Sequence, residues 1–234
     1  MNLVIMQPYF FPYVGYFSLF DAADTFVIYD DVNFIKKGWV NRNNFYSKSG
    51  PQRFTLPISK ASQNSKISDL SILSLHHSKI KFLRMLSFSY SKAPYYQDVI
   101  SLLVDIFDYK TELLADFLVN ALIKVNEYLN ISVEIIRSSQ EQFAKGLAGE
   151  QRIVSIAKNL QAEKYINAIG GVDLYSTKSF EMQGIKLQFL KHKGTNYRQF
   201  SDVHTPYLSI VDVLMFNSPS EAMQIIQSYE LING

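Results

Sequence analysis

Residues 133–169 read VEIIRSSQEQFAKGLAGEQRIVSIAKNLQAEKYINAI. VEIIRSS (133–139) is a short β-branched run of the kind that forms a strand. EQRIVSIAKNL (150–160) puts Ile153, Ile156, Ala157 and Leu160 on one face at helical spacing. KYINAI (164–169) returns to strand and ends at Gly170-Gly171. Alternation of strand, amphipathic helix and strand places the two strands in parallel, with the helix as crossover. The chain is therefore expected to be an α/β protein with a mainly parallel sheet flanked by helices.

The rest of the sequence extends that pattern. NLVIM (2–6) is an apolar run ended by Gln7-Pro8, and TFVIYDD (25–31) is a β-rich run ending in two acids. Both read as buried strands, with a short helix over 16–23 between them. NNFYSKSGPQRFTLPI (43–58) has apolar positions on both sides of Ser49-Gly50-Pro51 and predicts an N-terminal hairpin. The middle is helical: 78–90, 95–108, and 111–129, the last with Leu114, Phe117, Leu118, Ala121, Val125 and Leu129 on one stripe and Thr111 as its cap. KLQFLK (186–191) predicts one more strand. Ser218-Pro219-Ser220-Glu221 is a capping box with proline at the first helical position, and it opens a final helix. KASQNSKISD (60–69) reads as an exposed loop. A single α/β domain over 1–234, with a helical insert at about 78–130, accommodates all of these elements.

Bulk properties exclude several functions. A net charge of +2 over 234 residues argues against a general nucleic-acid binder or a polybasic membrane protein. The absence of cysteine excludes disulfides, thiolate zinc sites, iron–sulfur clusters and a cysteine nucleophile. No run approaches the roughly 20 apolar residues of a membrane span. Gln7-Pro8 also breaks the first apolar run too early for a secretory signal. A cytoplasmic protein is expected.

The candidate site follows from the fold, because ligands of open parallel sheets bind beyond the carboxyl ends of the strands. Gln7, Asp30-Asp31 and the region of Asn167 to Gly171 stand at three such ends. In MQPYFFPYVGYF (6–17), six of the nine residues from Tyr9 to Phe17 are aromatic. Phe10, Phe11 and Phe17 are expected in the core. Tyr9, Tyr13 and Tyr16 are expected with Gln7 on a rigid substrate wall, since each hydroxyl needs a partner. DDVNFIKKGWVNRNN (30–44) gathers acids, bases and the single tryptophan. Asp30 and Asp31 suit hydroxyl binding or proton abstraction. Lys36, Lys37 and Arg42 suit phosphate, Trp39 suits stacking, and Asn41 and Asn43 suit hydrogen bonding to substrate or to an oxyanion. Asp212, among aliphatics, must be paired or shifted if it is buried, and could orient Arg42 or act as a base. Asn217 is a binding candidate or a helix C-cap. His76 and His77 are adjacent and form no i,i+4 metal pair; His204 is the histidine best suited to test as a base. No metal triad, nucleophile elbow or phosphate-loop motif is present, so no metal ligand is assigned.

MQPYFFPYVGYF, FVIYDDVNFIKKGWVNRN (26–43), YINAIGGVDLY (165–175), NYRQF (196–200) and PYLSIVDVLMFN (206–217) together resemble the WbqC-like family, found in gene clusters for bacterial surface polysaccharides. The pattern carries over onto Gln7, Pro8, Tyr9, Pro12, Gly15, Tyr16, Asp30, Asp31, Lys36, Trp39, Asn41, Arg42, Asp212 and Asn217. Many members are similar to HQPxYxPWxGYF at the start; here Met6 stands at the histidine and Tyr13 at the tryptophan. The resemblance implies O-antigen-type (lipopolysaccharide) biosynthesis. The expected activity is a transferase placing an acyl or aminoacyl group on the amine of a nucleotide-linked amino sugar, with Asp30, Asp31, Arg42 and Asp212 as catalytic candidates. No resident cofactor is assigned. The expected partners are the nucleotide sugar, an acyl-thioester donor and an acyl carrier protein. Two alternatives stand beside it: a metal-dependent glycosyltransferase-like enzyme, whose acids would be Asp-Asp rather than Asp-x-Asp, and a non-catalytic nucleotide-sugar binding protein.

Overall fold

The computed structural model describes every residue except Gln63, Gln142 and Thr195. Its elements are β1 (Asn2–Met6), α1 (Val14–Ala22), β2 (Thr25–Ile28), β3 (Arg42–Phe45), β4 (Gln52–Thr55), α2 (Leu75–Tyr90), α3 (Tyr96–Asp108), α4 (Leu114–Leu129), β5 (Glu134–Arg137), α5 (Gly149–Asn159), β6 (Lys164–Ala168), α6 (Thr177–Glu181), β7 (Lys186–His192), α7 (Ile210–Phe216), α8 (Pro219–Ile226) and β8 (Tyr229–Asn233). One sheet has the order β5-β2-β1-β6-β7-β8, and β3 and β4 form a separate hairpin. All pairs in the large sheet are parallel except β7 with β8. The α/β reading, the parallel sheet and the hairpin therefore hold.

Numbered along the chain within that sheet, the order is 3-2-1-4-5-6, the doubly wound arrangement. Side-chain alternation buries both faces. Val4, Phe26 and Ile28 pack with α1, α2, α3, α4, α7 and α8 on one side. Leu3, Ile5 and Val27 pack with Ile153, Ile156 and Ala157 of α5 and Phe180 of α6 on the other. Strands buried on two faces read as continuous apolar runs, which is why NLVIM and TFVI show no polar alternation. The helical middle shares the core of the first face.

Two expectations are corrected, and one element is added. Thr111 does not cap α4, which starts at Leu114; the Thr111 hydroxyl accepts from the Leu113 N–H at 3.1 Å and braces the approach. The stretch 60–69 is not simply an exposed loop, although its Gln63 lies outside the described residues. Phe34 N donates to Ser65 O (2.8 Å), Ile67 N to Val32 O (3.0 Å) and Ser68 N to Asp30 O (2.8 Å), and Ile67 is fully buried. Residues 65–68 thus run along 30–34 and fix that segment. Finally, β8 follows the last helix as an antiparallel edge strand that is mostly exposed. An edge strand with few buried side chains carries no apolar pattern to reveal it.

Among the described residues, no helix is long and apolar enough to cross a membrane.

Candidate functional site

Strands β1 and β6 are neighbours whose chain connections leave in opposite directions, so the sheet switches between them. A cleft of about 560 Å³ opens there, beyond their carboxyl ends. Its size falls within the roughly 300–1,000 Å³ of small-molecule sites. β1 delivers Met6 and Gln7 to it, and Tyr9 follows. β6 delivers Asn167 and Ala168, followed by Gly170-Gly171 and Tyr175. Tyr29, Val32 and Ile35 enter from the segment after β2. The first turn of α5 closes the remaining side with Gly149, Glu150 and Ile153.

Each wall has an identifiable support. Tyr16 is 1 % exposed, and its hydroxyl donates to the Gln7 carbonyl at 2.7 Å. It braces the wall from behind, while Tyr9 packs on its ring with centroids 5.5 Å apart. Burial raises the Tyr9 phenol above its ordinary range, with Tyr13 adding to the effect, so Tyr9 stays neutral. Tyr13, expected on this wall, does not line the cleft; it is partly exposed, and its ring lies over Gly15, where a Cβ would sit 2.5 Å from the ring edge. Asn167 Nδ2 donates to the Tyr165 hydroxyl (2.7 Å) and the Tyr175 hydroxyl (3.2 Å). A Cβ at residue 171 would sit 2.9 Å from Asn167 Oδ1. A side chain at residue 171 would thus displace the Asn167 amide, whereas Gly170 meets nothing nearby. Phe10, Phe11 and Phe17 are buried in the core, as expected.

α5 begins at Gly149 after Ala148, which offers no side-chain cap. Its first amides are left without a capping side chain at the cleft wall, with the positive end of the helix dipole. Glu150 accepts from the Ser176 N–H, which ties the α5 start to the segment after β6.

The acids at the end of β2 sit beside this cleft in a dense ionic network. Asp30 is fully buried. Its Oδ2 accepts from Arg137 Nε (2.9 Å), Arg137 Nη2 (2.8 Å) and Ser139 Oγ (2.8 Å), and its Oδ1 accepts from Ser139 N (3.0 Å). Arg137 also bridges to Asp116 of α4 at 2.6 Å. Asp31 pairs with Arg152 of α5 and accepts from Ser138 Oγ at 2.6 Å. Burial alone would raise the Asp31 carboxyl, but hydrogen bonds from Arg152 and Ser138 and the Arg152 charge outweigh it and hold it below the usual range. The Arg152 guanidinium also lies 4.9 Å from the centre of the Tyr29 ring, a lining residue of the cleft.

The other expected site residues are placed elsewhere. Arg42, Asn41 and Asn43 belong to the hairpin. Arg42 Nε donates to Gly38 O (2.9 Å), Asn41 Nδ2 to Leu56 O (2.8 Å), and Asn43 Nδ2 to Phe11 O (2.7 Å) and Phe10 O (3.1 Å). Lys36 and Lys37 are exposed just past Ile35. Trp39 is 45 % exposed, with the Arg53 guanidinium 5.9 Å from its ring centre. Asp212 is fully buried in α7 and accepts from the Tyr90 hydroxyl (2.7 Å), the Tyr197 hydroxyl and Gln199 Nε2 (2.6 Å), and not from Arg42. Burial raises its carboxyl, against the pull of those three hydrogen bonds. Asn217 Nδ2 donates to Val213 O at 2.7 Å and closes α7. His204 lies edge-on to Tyr197, ring centres 4.9 Å apart.

Tyr29, Glu150, Arg152 and Tyr175 complete the cleft region without having been singled out in the sequence. A usable signal existed for Glu150 and Arg152. The helix between two parallel strands starts at their carboxyl edge, so the first turn of EQRIVSIAKNL had to face the site.

The sequence model of the WbqC-like protein family matches residues 7–224. An uncharacterized protein of Mycobacterium tuberculosis is 28 % identical over 227 residues, covering 94 % of this chain and 95 % of the relative. No solved structure matches the chain.

Proposed function

The chain belongs to the WbqC-like family, and from that premise we propose that it binds a nucleotide-linked amino sugar in the switch-point cleft and acylates or aminoacylates the sugar amine during bacterial surface-polysaccharide synthesis. The observation that carries this reading is the composition of the cleft: phenols of Tyr9, Tyr29 and Tyr175, amides of Gln7 and Asn167, and the open start of α5 around one cavity. Aromatic rings suit a base or sugar face, amides suit sugar hydroxyls, and unfilled helix amides suit a diphosphate. Glu150 is a carboxylate on the cleft wall and takes the role of base. In the step, the deprotonated amine attacks the acyl carbon of a thioester. The C–N bond forms, the C–S bond breaks with its electron pair on sulfur, and the amine proton passes to Glu150 and from there to the leaving thiolate. Asp31 then serves by holding Arg152, and Asp30 by holding Arg137.

This arrangement supports acyl transfer over a metal-dependent glycosyltransferase, because a cation at Asp30 would have to displace the guanidinium of Arg137. A non-catalytic binding protein is the second reading, favoured by Met6. That thioether lines the cleft where many members of the family carry histidine. Incubation with a panel of amino sugar nucleotides and acyl or aminoacyl donors, read by mass spectrometry, tests both. Turnover is expected to fall sharply in Glu150→Gln. Tight sugar-nucleotide binding with no mass gain from any donor would establish the second reading instead.

A further inference from the structure

The segment 196–204 lines a second and larger cavity, about 750 Å³, between Lys92-Pro94 and Phe216. Lys92 and Arg198 line it, and neither has an acidic partner among the described residues. Asp202 is the one acid on its wall. Phe200 is 43 % exposed, with its ring fixed on two sides by Phe216 (centroids 4.8 Å) and Tyr46 (5.7 Å). The cavity thus offers two unpaired cations beside a rigid aromatic face.

The segment is also held unusually firmly for a surface loop. Gln199 is buried; its Oε1 accepts from Thr205 N at 2.7 Å, and its Nε2 donates to Thr205 O at 3.2 Å. The same Nε2 and the Tyr197 hydroxyl donate to the buried carboxylate of Asp212. Residues 199–205 are closed into a ring, and that ring is anchored to α7 through an interior acid. None of these groups lines the switch-point cleft.

A third, smaller pocket of about 380 Å³ lies over the end of β7. Tyr197 lines both it and the large cavity. Tyr13 and Ile169 line its other side, and Ile169 precedes Gly170 of the cleft. Leu190, Leu208 and Val213 give it an apolar side, and Lys191 and His192 a polar one. The smaller pocket thus shares Tyr197 with the cationic cavity and meets the cleft at Ile169-Gly170.

We propose that the cationic cavity on 196–204 seats an adenosine phosphate, the handle of an activated acyl donor whose acyl group runs along the apolar side of the smaller pocket toward the cleft. The proposal rests on the acyl-transfer reading of the cleft. Lys92 and Arg198 pair with phosphate, and adenine stacks on Phe200. A coenzyme A thioester and an acyl-adenylate share this chemistry. With the first, the amine attacks the acyl carbon and the C–S bond breaks to release the thiol. With the second, the carbon–oxygen bond to phosphate breaks and AMP leaves with the electron pair.

Calorimetric titration of the full chain with coenzyme A, AMP and inorganic pyrophosphate tests the proposal and separates the two sources. Coenzyme A or AMP is expected to bind, and the Lys92→Glu/Arg198→Glu double variant to weaken that binding about tenfold or more. Phe200→Ala weakens the nucleotides and leaves pyrophosphate unchanged. Both changes are at exposed positions, and an unaltered unfolding temperature confirms the fold. Sugar-nucleotide affinity at the cleft stays the same in both variants. The proposal is overturned if neither coenzyme A nor AMP binds, if the double variant binds them as wild type does, or if the sugar nucleotide is lost in parallel. Nucleotide binding that depends on Arg198, with no transfer to any sugar, retains this cavity and refutes the reading of the cleft.

Discussion

Replacing Asp30 by asparagine separates a structural acid from a catalytic one. The carboxylate is fully buried and takes two N–H groups from Arg137, plus one N–H and one hydroxyl from Ser139. An asparagine of the same shape keeps one acceptor and turns an NH₂ toward these donors. The Arg137 guanidinium keeps only Asp116, whose side chain is 27 % exposed. Removing one member of a buried pair costs about 3–5 kcal/mol, because the other charge is left desolvated. For a domain of this size that is a fall in unfolding temperature of about 6–20 °C. Urea unfolding gives the free energy directly, with an unchanged m-value expected because the exposed surface does not change. The double variant Asp30→Asn/Arg137→Met should recover part of the loss, since the stranded cation is gone and the two residues are in contact. A loss below about 1 kcal/mol would refute the assignment, since that is the scale of a surface pair and not of a buried one. If turnover vanished at the same time, Asp30 would be chemical and not architectural.

The remaining predictions concern the cleft and its supports. Asp31 is held below its ordinary value, so its stabilising effect is complete above about pH 4 and is lost as pH falls through the lowered folded value; Arg152→Met should flatten this acid limb in pH-dependent unfolding. Gly171→Ala should push the Asn167 amide off its partners, weakening sugar-nucleotide binding with little change in unfolding temperature. Tyr16→Phe strands the Gln7 carbonyl at a cost of about 1–3 kcal/mol and should raise the ligand dissociation constant, measured by titration. Gly15→Ala should displace the Tyr13 ring while the helix itself is unharmed; because that ring lines the pocket over β7 and not the cleft, sugar-nucleotide affinity and unfolding temperature should both hold.

Which parts were legible in the sequence has a physical explanation. Apolar period and length are local properties, and they placed β1, β6, β7, α1, α3 and α5 within a residue or two, while α2 and α4 were placed with starts three residues off and the short α6 and α7 were not read as helices. The carboxyl-end rule put Gln7, Asp30-Asp31 and the strand end near Asn167 on one edge, because parallel pairing aligns those ends. Partner choice is not local. Asp30, Asp31, Arg42 and Asp212 look equally available in a string of letters. Arg137 and Arg152 reach the first two from 107 and 121 residues away. Arg42 turns to Gly38, and Asp212 to Tyr90, Tyr197 and Gln199.

The sequence alone determined the α/β class, the direction of the sheet and the edge at which the cleft opens, since periodicity and strand polarity suffice for these. The tertiary structure decided which polar side chains face an open cavity and which are consumed by one another. That depends on desolvation and on pairing across long separations, where a buried acid without a partner is untenable and an acid with one is no longer free.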